Sequence, residues 1–192
     1  HFIVDGAQSA GLMKVDVEEL GCDVYCFTGH KHLMGPMGTG GFVLKDDLAN
    51  KMNTLIDGGT GSFSEDPAMP LVLPDRFEAG TLNGVGIAGL NGALDFLLAK
   101  DLDDILTQEK DLHDRLYQGI KDIPGIQFYG DMTVSKLPVL SFNIKGLDSG
   151  ELAGLLDYKY GIMTRSGLHC SPLAHQTFGS VGGSIRLSLG YF

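Results

Sequence analysis

Phe27-Thr28-Gly29-His30-Lys31-His32 sets one lysine at the end of an apolar run, among hydrogen-bond donors and ahead of a glycine-rich turn. The run before it, Asp23-Val24-Tyr25-Cys26-Phe27, reads as a buried strand, and Gly35-Pro36-Met37-Gly38-Thr39-Gly40-Gly41 after it reads as a turn-rich loop. A lysine placed there is a candidate Schiff-base nucleophile, because an amine that loses hydration in a pocket is partly neutral, as carbonyl chemistry requires. Taken alone, the motif also suits a surface lysine at a strand end.

Upstream, His1-Phe2-Ile3-Val4-Asp5-Gly6-Ala7-Gln8-Ser9 is an apolar strand that delivers a carboxylate and then an amide at its carboxyl end. Open α/β sheets bind ligands at that end. A carboxylate there can keep a pyridinium nitrogen protonated, the feature that makes pyridoxal 5'-phosphate an electron sink. By itself, Asp5 before Gly6 also reads as a turn residue.

The motifs DGAQ (5–8), TGHK (28–31), RFEAGTLN (76–83) and RSGLHC (165–170) run in order over nearly the whole chain. Together they resemble cysteine desulfurases, members of the class V aminotransferase group with the fold type I architecture of pyridoxal phosphate enzymes. The resemblance implies that Asp5 pairs with the pyridine nitrogen, Gln8 bonds the ring hydroxyl and Lys31 is the Schiff-base lysine. It further implies that Thr28 and His30 hold the phosphate and that Thr81 reaches the cofactor phosphate of a neighbouring subunit. Cys170 would be the persulfide-forming nucleophile and Arg186 the receptor of the substrate carboxylate, while Arg165 matches a family position near the active site. The implied partners are L-cysteine or selenocysteine, a second copy of the enzyme, and a sulfur-acceptor protein in iron-sulfur or related assembly. Thr28 stands where many relatives have Ser, and Leu82 where many have Pro.

The chain opens in mid-strand without an initiator Met, so it resembles the carboxyl-terminal half of such an enzyme. The expected fold is α/β, with residues 1–96 the last part of a large cofactor-binding domain and 97–192 a small α+β domain. Two other readings stay open. One is a selenocysteine lyase, aminotransferase or epimerase that keeps Lys31 without using Cys170; the other is a non-catalytic fragment or interaction module.

Composition is that of an ordinary folded domain, with 192 residues, 43% hydrophobic and 20% charged. A net charge of -10 offers no basic stripe to a nucleic acid. No apolar run approaches the roughly 20 residues that span a bilayer, and nothing resembles an export leader. Three cysteines make no disulfide framework, which points to a reducing, cytoplasmic home.

Periodicity predicts a short segment at 15–20, a strand at 41–44 and a Gly-, Ser- and Pro-rich loop over 57–70. A helix starts near Gly84 despite four glycines, and a second runs over 102–123 with Leu102, Ile105, Leu106, Leu112, Leu116 and Ile120 on one side. Strands follow near 126–129 and 139–144. Next comes a helix capped by Ser149 with Leu152, Leu155 and Leu156 inward, and then strands near 162–164 and 184–188.

Cys22, Cys26, His30 and His32 are metal-ligand types, but strand residues separate them and spread them along one line, so Cys22 and Cys26 read as small core residues. Cys170 lies in a polar, turn-prone segment with His169 and Arg165 close in sequence, which favours an exposed thiolate. His175 has no role at this stage.

Overall fold

The computed structural model describes residues 1–134 and 137–192 and divides the chain into two units, His1–Asp103 and Asp104–Phe192. In the first, β1 (Ile3–Asp5) leads through a loop to α1 (Val17–Leu20), β2 (Val24–Thr28), β3 (Gly40–Leu44), α2 (Asp46–Ala49), a 3-10 turn at Asp75–Phe77 and α3 (Gly84–Leu98). The sheet order is β1-β2-β3, with β1 parallel and β3 antiparallel to β2. Pairing of Asp5 with Cys26 sets the carboxylate beside the last residues of β2, so Asp5, Thr28 and Lys31 lie at one end of the sheet. Val24, Tyr25 and Leu97 are buried. Cys22 is buried, whereas Cys26 is only half-buried.

Two close approaches fix that end of the sheet. Gly11, at φ +83, passes so near His32 that a Cβ would stand 2.5 Å from the His32 carbonyl, and only glycine fits both the conformation and the space. In α3, Gly89 and Gly86 face the loop after Lys31, where a Cβ would meet Pro36 at 2.6 Å and the Thr39 methyl at 2.9 Å. These two glycines weaken the helix locally but allow it to lie against the lysine loop.

Residues 57–70 form no helix or strand. The segment is tied to the RFEAGT motif by Gly80 N–H donating to Gly59 O (2.7 Å), and Arg76 Nη2 donates to Met52 O just ahead of it (2.7 Å). Thr81 follows as an exposed residue two places before Asn83, which caps α3.

Helix α4 (Leu102–Ile120) leads into the second unit, which continues with β4 (Ile126–Phe128), β5 (Val139–Ile144), α5 (Ser149–Tyr160), β6 (Arg165–Gly167), α6 (Pro172–Thr177) and β7 (Ser184–Ser188). The sheet order is β4-β5-β7-β6, antiparallel throughout. Alternation along these strands sorts their side chains. Phe128, Phe142 and Ile185 lie on one face and pack with Leu152 of α5. Ser141 and Arg186 are paired on the other.

The structure corrects several expectations in detail. Helix α4 stops at Ile120, and its buried stripe contains Glu109 and His113 while Leu112 is exposed; burial pushes the Glu109 carboxyl up. The cap of α5 is Asp148, whose Oδ1 accepts from Gly150 N and Glu151 N, and Ser149 is the first helical residue. Leu155 points outward. The strand expected at 162–164 lies at Arg165–Gly167, because the chain first reverses through Gly161 at φ +63 before it reaches β7. Helices α2 and α6 were not foreseen. Among the described residues, no helix is long and apolar enough to cross a membrane.

Ile185 is fully buried, so Ile185→Ala should cost about 2–5 kcal/mol, read as a lower urea midpoint for the second unit. A second prediction concerns pH. Burial first, and then the Lys31 charge, hold the His32 imidazole below its ordinary 6.5 against a hydrogen bond to the Gln8 backbone that raises it. The unfolded chain then binds this proton first as pH falls, so the His32 contribution is complete above about pH 6.5 and is lost below it. Thermal midpoints between about pH 7.5 and 5 should fall less steeply in His32→Asn than in the wild type.

Candidate active site

In the first unit the predicted residues gather at the carboxyl ends of β1 and β2. Asp5 Oδ1 accepts from Ala7 N (3.0 Å), which orients the carboxylate. Adjacent parallel strands lie about 4.8 Å apart with a rise near 3.3 Å per residue, which puts the Asp5 and Thr28 backbones roughly 8 Å apart. Thr28 Oγ1 and His30 Nδ1 stand 3.4 Å from one another. The turn after them is closed by Met34 N donating to Lys31 O (2.9 Å) and Gly35 N to Gly29 O (2.7 Å). Gln8 belongs to the loop that Gly11 seats on His32, so the amide and Lys31 flank one contact. Lys31 itself is exposed, contrary to the dehydrated pocket that the sequence suggests; the residues around it orient the turn without covering the amine. A carboxylate at one side, with hydroxyl, imidazole and ammonium donors at the other, matches a ligand that carries a protonated ring nitrogen and an anionic group.

The second unit gathers another set. Arg165 on β6 and Arg186 on β7 are direct cross-strand partners, so their side chains share a face. Like charges directly opposite destabilise a sheet, and this pair therefore favours an anion bound across it. Burial first, and then Arg165, lower the Arg186 guanidinium below its usual range, an effect opposed by Cys170. Arg165 Nη2 donates to Cys170 Sγ at 3.5 Å. Cys170 is exposed, and it follows His169 in a turn where both residues are left-handed, at φ +62 and +50.

His169 Nε2 lies 3.0 Å from Ser184 O and 3.3 Å from Ser184 Oγ. Its ring sits 5.4 Å from that of His175. His175 is buried with Nδ1 2.8 Å from Ser180 Oγ. Sequence reasoning left out His175, Ser141 and Ser184. The alternation in Val139-Leu140-Ser141-Phe142-Asn143-Ile144 held the signal for a polar face, whereas nothing in the sequence announced the ring contact between His169 and His175. Thr81 shares the first unit with Lys31. Among the described residues, no three His, Cys, Asp or Glu side chains converge as metal ligands.

Comparison with known proteins places the whole chain in one family. The family model for aminotransferase class-V matches residues 1–192. The chain is 36% identical over 195 residues to a "Probable cysteine desulfurase" of Methanothermobacter thermautotrophicus, covering 100% of this chain and 48% of that protein. The apo cysteine desulfurase of Thermococcus onnurineus NA1 superposes with a TM-score of 0.89 at 34% identity, over 98% of this chain and 47% of that one. The cysteine desulfurase CsdA of Escherichia coli, in an S-sulfonic acid form, gives 0.84 at 29% identity over 98% of this chain and 46% of its own. The chain thus spans about half the length of the curated relatives it matches. With the match running from its first residue to its last, this chain belongs to the class-V aminotransferase family.

Proposed function

We propose that this chain carries the lysine and the sulfur-accepting cysteine of a pyridoxal-phosphate-dependent cysteine desulfurase. The observation that carries the reading is the cross-strand pair Arg165–Arg186 with Cys170 Sγ hydrogen-bonded to Arg165, a carboxylate receptor beside a nucleophilic sulfur. The first cluster fits the cofactor by its donor set. Asp5 would face the ring nitrogen and Gln8 the ring hydroxyl, Thr28 and His30 the phosphate, and Lys31 the aldehyde carbon. The bound cofactor would supply the electron sink for the substrate's α-carbon.

The chain's own residues do the rest. Arg186 holds the carboxylate of L-cysteine, and Lys31 Nζ takes the α-proton. Cys170 thiolate attacks the substrate sulfur; an S–S bond forms as the substrate Cβ–S bond breaks, leaving a persulfide on Cys170 and releasing alanine after protonation. The Arg165 guanidinium stands within hydrogen-bond reach of the Cys170 sulfur. The persulfide would pass to an acceptor protein in iron-sulfur or related assembly, in the cytoplasm. In this reading residues 1–96 complete a large cofactor domain, 97–192 form the small α+β domain, and Thr81 serves the cofactor of a second copy in a homodimer.

Cysteine and selenocysteine turnover by the protein and its Cys170→Ala form tests the reading. Cysteine desulfuration should fall by on the order of a hundredfold or more, while Arg186→Ala should raise KM for cysteine about thirtyfold. Full cysteine activity in Cys170→Ala would overturn the mechanism. Activity kept only toward selenocysteine would favour the lyase.

A further inference from the structure

His175 lies five residues beyond Cys170, at the heart of α6, and the reaction above makes no use of it. It is 8% exposed, with Nδ1 2.8 Å from Ser180 Oγ, and its backbone N–H donates to Ser171 O (3.2 Å). Ser180 N in turn donates to His175 O (2.8 Å). The residue is thereby tied on one side to Ser171, next to Cys170, and on the other to Ser180, and its ring is set against that of His169 at 5.4 Å and 44°.

His169 is held from the other side by Ser184. The Ser184 carbonyl can only accept, so Nε2 carries the proton and Nδ1 of the neutral ring is a bare lone pair. Burial, then the charge of Arg186, keep this imidazole below its usual range, and His175 and Arg165 add to that against the Ser184 bond. Its Nδ1 is buried without a partner, as is Arg186 Nε, and both residues line one cavity of about 200 Å3 with Ser180, Ser184 and His175. The cavity wall therefore positions the ring through its faces and through Nε2.

That ring anchors a strained turn. His169 and Cys170 adopt φ +50 and +62, a left-handed pair that is unfavourable outside glycine. Such geometry persists only where surrounding contacts over-determine it. Here the contacts are Ser184 and His175 on the His169 ring, and Ser171 N donating to Leu168 O (2.8 Å) across the turn. Relaxation of the turn would carry Cys170 Sγ away from Arg165 Nη2.

We propose that His175 is a positioning residue for Cys170: anchored to Ser180, it walls in His169, and the fixed His169 holds the left-handed turn that presents the thiol to Arg165. The proposal rests on the reading of Cys170 as the sulfur-accepting nucleophile.

Iodoacetamide alkylation of Cys170, followed peptide by peptide with mass spectrometry from about pH 6 to 9, tests it. The charged or titratable groups around the turn are Arg165 on β6, Arg186 on β7, His169 beside the thiol and His175 on α6. His175→Ala should slow the Cys170 reaction at neutral pH about tenfold. Arg165→Gln should do the same, and the double variant should be no slower than either, because both break one contact. Ser180→Ala, which removes only the anchor, should give an intermediate profile, and it decides the matter if His175→Ala does not fold. A wild-type profile in folded His175→Ala, or effects that multiply with Arg165→Gln, would overturn the proposal. Alkylation needs neither cofactor nor substrate, so this outcome is separable from whether the protein desulfurises cysteine.

Discussion

Register between β5 and β7 is the constraint on which the second unit depends. Phe142 opposite Ile185 and Ser141 opposite Arg186 are neighbouring rungs of one ladder. A slip of one residue would expose Phe142 and Ile185 and drive Arg186 toward Leu152. The hydrophobic term that holds the sheet on α5 therefore also holds the arginines on the opposite face. Core and candidate site are two sides of the same pairing, which is why Arg165 and Arg186 can be held opposite one another despite their like charge.

The first unit solves a different problem, how to bring loops from two parallel strands together at one sheet end. Parallel pairing sets Asp5 beside Cys26, and the close approach of Gly11 to the His32 carbonyl lays the Gln8 loop against the lysine turn. Gly86 and Gly89 then let α3 press on Pro36 and Thr39. Helix propensity is sacrificed there for proximity. The glycines that weaken α3 when it is read as an isolated helix are the ones that its packing demands.

Much of this was legible in the sequence. Asp5 and Lys31 were singled out by a strand-then-turn pattern and Gln8, Thr28 and His30 by the family resemblance, while β2, β3, α3 and β7 stand where apolar periodicity puts them. What escaped was set by distant partners. Strand β6 is displaced by three residues because β7, not local propensity, decides where pairing begins. Helix α6 is short and starts at Pro172, with little apolar period to announce it. Burial of Glu109 and His113 in place of Leu112 breaks the hydrophobic template, and the exposure of Lys31 was invisible to a motif that describes only its chain neighbours.

The most direct test of the central claim, that the end of the first sheet is a pyridoxal phosphate site, is borohydride reduction of the chain mixed with the cofactor, with the modified lysines mapped by mass spectrometry. Lys31 is as exposed as a surface lysine, so selectivity is the informative quantity. The account predicts that the cofactor is fixed on Lys31 well ahead of Lys14, Lys45 and Lys51, and that Asp5→Ala or Thr28→Ala removes the preference. Equal labelling of all four lysines, unchanged by those substitutions, would contradict it.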